Sequence, residues 1–240
     1  MKFLTARWSN IFLVTYAVPS ELLAPHLPAG LELDDIDGQC FVSLVAFDFL
    51  NTKVLGIPWP GFRNFPEINL RFYVRQGERR GVVFLRELVP SGAVAWLARV
   101  LYNEPYSAMP MSSAVTDSPT GITVVHRVDS PGRMNLIRAT GQKPAIQPGP
   151  ESIEHFFKEH EWGFGRTRKG RTMVYHVEHP VWDVYPVTEW EFDWDWAGLY
   201  GAEWAFLADA EPCSVVFAVG SPVSVFWGKD IHREGAKGAK

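Results

Sequence analysis

The sequence predicts a strand-rich α+β protein, and three observations indicate this. Aromatic residues make up 14% of the chain, 20 Gly and 18 Pro interrupt it, and short aromatic and β-branched runs lie between these breaks. Such runs, bounded by Gly and Pro, are typical of β-strands. Eleven of them, at fairly even spacing, indicate a large antiparallel sheet that curls or closes. The predicted strands are residues 11–18, 40–49, 67–75, 82–88, 107–115, 122–129, 133–140, 172–179, 185–192, 214–219 and 223–227.

The strand at 40–49 is apolar on both faces. Phe41, Val45 and Phe47 alternate with Val42 and other apolar residues, so both sides of the strand are expected to be covered. A doubly covered strand beside a polar-faced one suits a barrel-like sheet that encloses a cavity.

The strand at 67–75 has one polar and one apolar face. Glu67, Asn69, Arg71, Tyr73 and Arg75 alternate with apolar residues and therefore share a face. Either this face is wet, as in an ordinary antiparallel strand, or it lines a cavity in which neighbouring polar side chains share a ligand.

Helical periodicity is clear at 91–103 and 150–160. Val94, Leu97, Ala98 and Leu101 follow the helical spacing after Ser91, which suits an N-cap. In the second helix the first turn is expected at Pro150, with an apolar face of Ile153, Phe156 and Phe157. A one-turn helix is expected at 20–24. A hairpin turn is expected at Lys169-Gly170.

Composition restricts the class of protein. The chain has 240 residues, is 47% hydrophobic and 21% charged, and carries a net charge of -4, which argues against binding nucleic acid through a basic surface. No apolar run is long enough to span a membrane, and with only two cysteines a cytoplasmic location is expected. We expect one domain over residues 1–228 and a flexible tail over 229–240.

The common catalytic and metal-binding motifs are not evident. The spacings of His155 with His160 and of His176 with His179 do not suit a shared metal, so no metal site is predicted. Neither a nucleophile elbow nor a dinucleotide loop with correct glycine spacing occurs, and no cofactor is predicted. The alternation of Trp190, Phe192, Trp194 and Trp196 is more typical of a core than of a stacking site.

Several segments together resemble a known family. They are 27–34 (LPAGLELD), 42–47 (VSLVAF), 65–74 (FPEINLRFYV), 81–84 (GVVF), 98–99 (AR), 105–109 (PYSAM) and 179–182 (HPVW). The chain resembles the uncharacterised YqjF-like family of bacterial proteins, whose members are similar in fold to acetoacetate decarboxylase. The resemblance covers roughly residues 8–227 and implies a closed or nearly closed antiparallel β-barrel of acetoacetate-decarboxylase-like type, with a few short helices and an internal cavity.

The resemblance supplies a fold but not a reaction. Decarboxylation through an imine needs a lysine with a lowered pKa, and no lysine occurs between Lys53 and Lys143, where the resemblance would place it. Imine chemistry is therefore not expected.

The segment His179-Pro180-Val181-Trp182 is expected to have a structural role, in which Trp182 packs in the core and His179 bonds a backbone group.

Two functions remain open, and whether the protein is an enzyme is left undecided. In one, Glu67 is an acid or base, Arg71 holds a carboxylate and Tyr106 donates a proton, with Asn69, Tyr73 and Arg99 contacting the ligand. In the other, the cavity binds a small carboxylated or apolar metabolite without converting it. The alternative to both is a structural or protein-interaction β-domain. The expected partner is a small molecule, with homo-oligomerisation left open.

Overall fold

The computed structural model describes residues 2–230. Its helices are α1 Ser20–Leu23, α2 Gly92–Tyr102, α3 Ile153–Lys158 and α4 Trp196–Tyr200, with 3-10 turns at Ala24–His26 and Ala202–Ala208. Its strands are β1 Lys2–Val18, β2 Glu32–Leu33, β3 Cys40–Val54, β4 Phe65–Gln76, β5 Arg79–Val89, β6 Tyr106–Ala108, β7 Met111–Asp117, β8 Gly121–Ser130, β9 Arg133–Gln142, β10 Trp162–Arg166, β11 Thr172–Glu178, β12 Val184–Tyr185, β13 Val187–Asp193, β14 Ser214–Phe226 and β15 Lys229–Asp230.

The strands form two sheets. The larger has the order β12-β14-β1-β3-β4-β5-β10-β11-β15, with β2 on β4 and β6 on β5. Strand β11 also pairs with β14 through Val177–Val225 and Glu178–Ser224, so the hydrogen-bonded path returns to a strand near its start. The smaller sheet has the order β13-β9-β8-β7.

Strand β3 separates two layers of the core, as its sequence predicts. All ten residues from Cys40 to Phe49 are buried. Val42, Leu44 and Ala46 pack in one cluster with residues of the smaller sheet, such as Val124 and Ile137. The side chains that alternate with them, including Val45, Phe47 and Phe49, pack in a second cluster with Trp182 and Phe65.

The prediction of an entirely antiparallel sheet is wrong at two places. Strands β5 and β10 pair in parallel, as do β5 and β6. The predicted strand 107–115 is divided at Pro110, which cannot donate a ladder hydrogen bond. Its first part, β6, stays on the larger sheet, whereas β7 joins the smaller one.

The two predicted strands at 214–219 and 223–227 are one strand, β14. The chain passes through Gly220 with φ +79°, opposite Ser9 of β1. A Cβ atom at Gly220 would lie 2.1 Å from the carbonyl oxygen of Trp8, so only glycine fits this close approach. The sequence prediction ended the first of these strands just before Gly220, although the continuous strand requires glycine at this position.

The longer predicted helices form, with shifted ends. The hydroxyl of Ser91 accepts a hydrogen bond from the Val94 amide at 3.4 Å, which confirms its N-cap role. Helix α3 begins later than predicted, at Ile153 after the N-cap Ser152, so Pro150 is not in its first turn. Phe157 is fully buried, whereas Ile153 is exposed and is not on the core face.

Two further segments form strands that were not predicted. Strand β10, not predicted, pairs with β11 across the predicted hairpin turn, where the Gly170 amide donates to Thr167 at 2.8 Å. Lys229–Asp230 pair with Val174 and Met173. The rest of the predicted tail, 231–240, lies outside the described residues. Among residues 2–230, no helix has both the length and the apolar character needed to cross a membrane.

Candidate active site

The larger sheet lines a partly open cavity of about 160 Å³. Most of its wall is apolar, and rings of Trp8, Phe47, Phe49, Phe65 and Trp182 contribute to it. These rings pack against one another, with Phe49 stacked on Phe65 at 4.8 Å and Trp8 edge-on to Phe47 at 5.3 Å between centroids. The cavity therefore has a rigid aromatic side that favours an apolar ligand surface.

The register of three strands brings polar residues to the same cavity. Asn69 of β4 lies opposite Glu87 of β5, and Glu87 lies opposite Tyr106 of β6. Glu67 is two residues before Asn69 on the same face of β4. All four line the cavity, although they are far apart in sequence.

The Glu67 carboxyl is held by two hydrogen bonds. The Asn69 side-chain amide donates to Oε1 at 3.2 Å, and the Tyr106 hydroxyl donates to Oε2 at 3.0 Å. Glu67 is only 3% exposed. Burial raises its pKa to about 7, and hydrogen bonds with Asn69, Tyr106 and Glu87 act in the opposite direction.

Two further buried carboxyls surround Glu67. Burial, together with the charges of Glu67 and Glu104, raises the pKa of Glu87 well above its ordinary value. Burial raises the pKa of Glu104 to about 8. Besides burial, the groups that shift the pKa values of Glu67, Glu87 and Glu104 are hydrogen-bond donors and the other carboxyls. At neutral pH the cluster therefore retains protons and can donate hydrogen bonds as well as accept them.

Tyr106 is also kept in its protonated form. Burial and the negative charges of Glu67 and Glu87 raise the pKa of its hydroxyl well above 10. The phenol is therefore a hydrogen-bond donor throughout the neutral range.

Two cationic side chains line another part of the cavity. Arg71 and Lys158 both contribute to the wall. The Arg71 Nη2 donates to the Phe157 carbonyl at 3.0 Å, and its buried Nε has no partner among the residues described. The Lys158 ammonium is completely buried and forms an ion pair with Glu159.

His160 lies beside these cations. Its ring is buried, stands 5.0 Å from the Tyr73 ring, and has no hydrogen-bond partner within residues 2–230 at either nitrogen. Burial lowers its pKa well below 6.5, and the charges of Arg71 and Arg80 lower it further, so the imidazole is neutral.

The residues proposed from sequence do not all meet in the cavity. Glu67, Asn69, Arg71 and Tyr106 line it. Tyr73 is behind the wall, where its hydroxyl bonds Ser43 and the Phe157 carbonyl at 3.4 Å. Arg99 is exposed on α2 and lies in a neighbouring cleft.

Three cavity residues were missed by the sequence reasoning. Glu87 could have been noticed as a charged residue within an apolar strand, and Glu104 directly precedes a segment that carries the family resemblance. Lys158 lies outside the lysine-free segment on which the prediction against imine chemistry depends. Its burial against the cavity had no sequence signal, because it depends on how α3 packs.

The motif at 179–182 has the structural role predicted for it. Trp182 is 4% exposed, and its indole donates to Ser221 at 2.8 Å. His179 stacks on Trp182 at 4.2 Å between centroids and bonds the Pro180 carbonyl at 3.0 Å.

Across residues 2–230 no cluster of three or more His, Cys, Asp or Glu side chains could hold a metal ion.

Comparison with protein families decides the relationship. Residues 5–222 match the model of the DUF2071 family, whose description is "Uncharacterized conserved protein". The chain belongs to the DUF2071 family. It is 31% identical over 107 residues to the uncharacterized protein YqjF of Bacillus subtilis strain 168. That match spans 44% of each chain, so it covers less than half the length of the curated relative.

Solved structures show the fold. An acetoacetate decarboxylase-like enzyme from Sphingomonas wittichii RW1 is similar with a TM-score of 0.65 and 16% identity, over 96% of this chain and 94% of that one. The enduracididine biosynthesis enzyme MppR, in complex with pyruvate, is similar with a TM-score of 0.64 and 11% identity, over 96% and 91%. The protein thus has a strand-rich α+β fold with few helices, of the acetoacetate decarboxylase-like type. The family and fold resemblance in the sequence is confirmed.

Proposed function

We propose that the cavity binds a small carbonyl compound and that Glu67 transfers a proton at the carbon next to its carbonyl group. The observation that carries this proposal is the carboxyl of Glu67, with a pKa of about 7, hydrogen-bonded in a largely apolar cavity beside two further buried carboxyls. A general base is most effective when its pKa is close to the working pH. We also propose that the larger sheet forms a closed barrel around this cavity.

The size of the cavity limits the ligand. An apolar protein cavity of about 150 Å³ accommodates benzene. A space of about 160 Å³ therefore suits a compound of similar size, with an apolar part against Phe49, Phe65 and Trp182. Pyruvate, which is bound by the structural neighbour MppR, is within this range.

Each polar group has a role in the proposed step. The ionised form of Glu67 takes the proton from carbon, and the bonding electrons move to the carbonyl oxygen. A protonated Glu87 or Glu104 donates a hydrogen bond to the oxygen as negative charge develops there, which is how a neutral carboxylic acid assists enolisation. Tyr106 and Asn69 hold Glu67 in place, and Tyr106 is the alternative donor. Reprotonation at carbon by Glu67 completes the exchange.

Arg71 is proposed to bind a carboxylate on the ligand. Its Nε is buried against the cavity and has no partner among the residues described, although Nη2 is engaged by the Phe157 carbonyl. A guanidinium with an unused buried N–H favours an anionic acceptor. Binding of a carboxylated or apolar metabolite without conversion remains the second candidate, since the cavity alone supports it.

The test is deuterium exchange in D₂O followed by proton NMR, with pyruvate and cyclohexanone as probes. We expect the protein to accelerate loss of the protons next to the carbonyl of at least one probe. The Glu67→Gln variant should lose this acceleration, and Glu189→Gln, which changes an exposed glutamate on β13, should keep it. Native mass spectrometry of the purified protein that reveals a retained small molecule, without any exchange activity, would favour the binding function instead.

A further inference from the structure

A second, more open cleft adjoins the cavity. Its volume is about 360 Å³, and its wall includes the basic residues His26, Arg86 and Arg99 and the rings of Tyr106, Tyr200 and Trp204. Tyr106 lines both spaces. Only this ring is common to the two walls within residues 2–230, so the cleft is a separate space and not an extension of the acidic cluster.

Arg86 is fixed in the wall of this cleft by uncharged groups. Its Nε donates to the Ser107 hydroxyl at 3.2 Å, and its Nη1 donates to the Leu199 carbonyl. Among residues 2–230, no hydrogen bond is found for Nη2 and no carboxylate partner for this guanidinium. A guanidinium positioned by two neutral acceptors keeps its full positive charge and part of its donor fork.

Arg99 adds a second cation from another element. It is exposed on α2, and no side-chain hydrogen bond or ion pair is found for it in the described part of the chain. The described wall of the cleft contains no Asp or Glu side chain. Glu203 and Arg166 are both near His26, whose pKa is lowered first by burial and then by Arg166, so that His26 is a neutral imidazole. Two arginines that have no carboxylate partner within residues 2–230 thus line one concave surface in a protein with a net charge of -4.

We propose that this cleft is a binding site for an oxyanion, either a carboxylate or a phosphate group of a small molecule. A guanidinium group binds such anions through charge-assisted N–H···O bonds, and two guanidinium groups lie in the wall of this cleft. The apolar side chains Leu85 and Leu199 and the three rings favour a ligand whose anionic group carries a hydrophobic or unsaturated part. This site goes beyond the function proposed for the cavity, because its cations, Arg86 and Arg99, are not among the residues that line the cavity.

The experiment is isothermal titration calorimetry with inorganic phosphate and, separately, with benzoate, at constant ionic strength. We expect saturable binding of at least one of the two anions by the wild-type protein. Arg99→Gln and Arg86→Gln should each weaken it by about tenfold, which is the scale of one charge-assisted hydrogen bond. Preference for phosphate indicates a phosphorylated ligand, and preference for benzoate indicates a carboxylate.

Two controls make the result decisive. Arg127→Gln removes an exposed arginine of β8 that is outside the cleft, and it should leave binding unchanged. Glu67→Gln should also leave anion binding unchanged, even if it abolishes exchange in the cavity. Absence of saturable binding, equal weakening by Arg127→Gln, or full binding by Arg99→Gln would each overturn the proposal. Because Arg99 is exposed, its replacement tests the site even if Arg86→Gln fails to fold.

Discussion

The buried charge of Glu67 should make the protein less stable as the pH rises. The folded pKa of about 7 is above the ordinary value of 4.5, so the folded protein retains a proton that the unfolded chain loses. The contribution of Glu67 to the free energy of unfolding is therefore fully present below pH 4.5 and is lost as the pH rises through about 7. The variant Glu67→Gln keeps the shape of the side chain and removes this ionisation.

The magnitude follows from the two pKa values. At about 1.36 kcal/mol for each pH unit between folded and unfolded pKa, the range from 4.5 to about 7 corresponds to about 3 kcal/mol. The free energy of unfolding of Glu67→Gln, relative to wild type, should thus rise by about 3 kcal/mol between pH 4.5 and pH 8.5. Any fixed loss from weaker hydrogen bonds to Asn69 and Tyr106 is the same at both ends and cancels.

The assay is urea unfolding followed by tryptophan fluorescence at several pH values and constant ionic strength. Glu189→Gln is the matched control, because Glu189 is exposed, and its difference from wild type should stay within about 0.5 kcal/mol throughout. A difference between Glu67→Gln and wild type that does not change with pH would refute the conclusion that Glu67 ionises in a desolvated site.

Three further outcomes are expected. Tyr106→Phe removes a donor that lowers the pKa of Glu67, so the pH range over which urea stability falls should extend to higher pH; an unchanged or lower range would contradict the hydrogen bond. Trp182→Ala should cost about 3–5 kcal/mol in the same assay, whereas Trp190→Ala, at a ring that is 42% exposed, should cost far less; equal effects would remove Trp182 from the core. Acetoacetate with sodium borohydride should add no covalent mass in intact-protein mass spectrometry, because the amine of Lys158, the lysine in the described cavity wall, is engaged in an ion pair with Glu159; a stoichiometric adduct on Lys158 would establish imine chemistry.

The charge state of the cavity also affects which ligands can enter it. With Glu104 protonated at neutral pH and the pKa of Glu87 raised by burial, the acidic cluster repels an anion less than three carboxylates would. A carboxylated ligand can then approach Glu67 while its anionic end faces Arg71. Ionisation of Glu104 above about pH 8 should weaken binding of such a ligand.

Local patterns in the sequence predicted most of the longer elements and the buried faces of β3 and β4. The alternation in β3 and β4 predicted which side chains share a face, since successive side chains of a strand point to opposite sides. The capping serine of α2 and the hairpin turn near Gly170 were also readable, because both depend on neighbours a few residues away.

Only the tertiary structure decided which residues meet. Glu67, Glu87 and Tyr106 come together through the register of β4, β5 and β6, and the parallel pairing of β5 with β6 was not predicted. Strand pairing depends on contacts between distant segments, which local periodicity does not encode. For the same reason, the sequence identified the polar face of β4 but left open whether water or a cavity covers it. The packing of α3 likewise placed Lys158 in the cavity wall and buried it against Glu159.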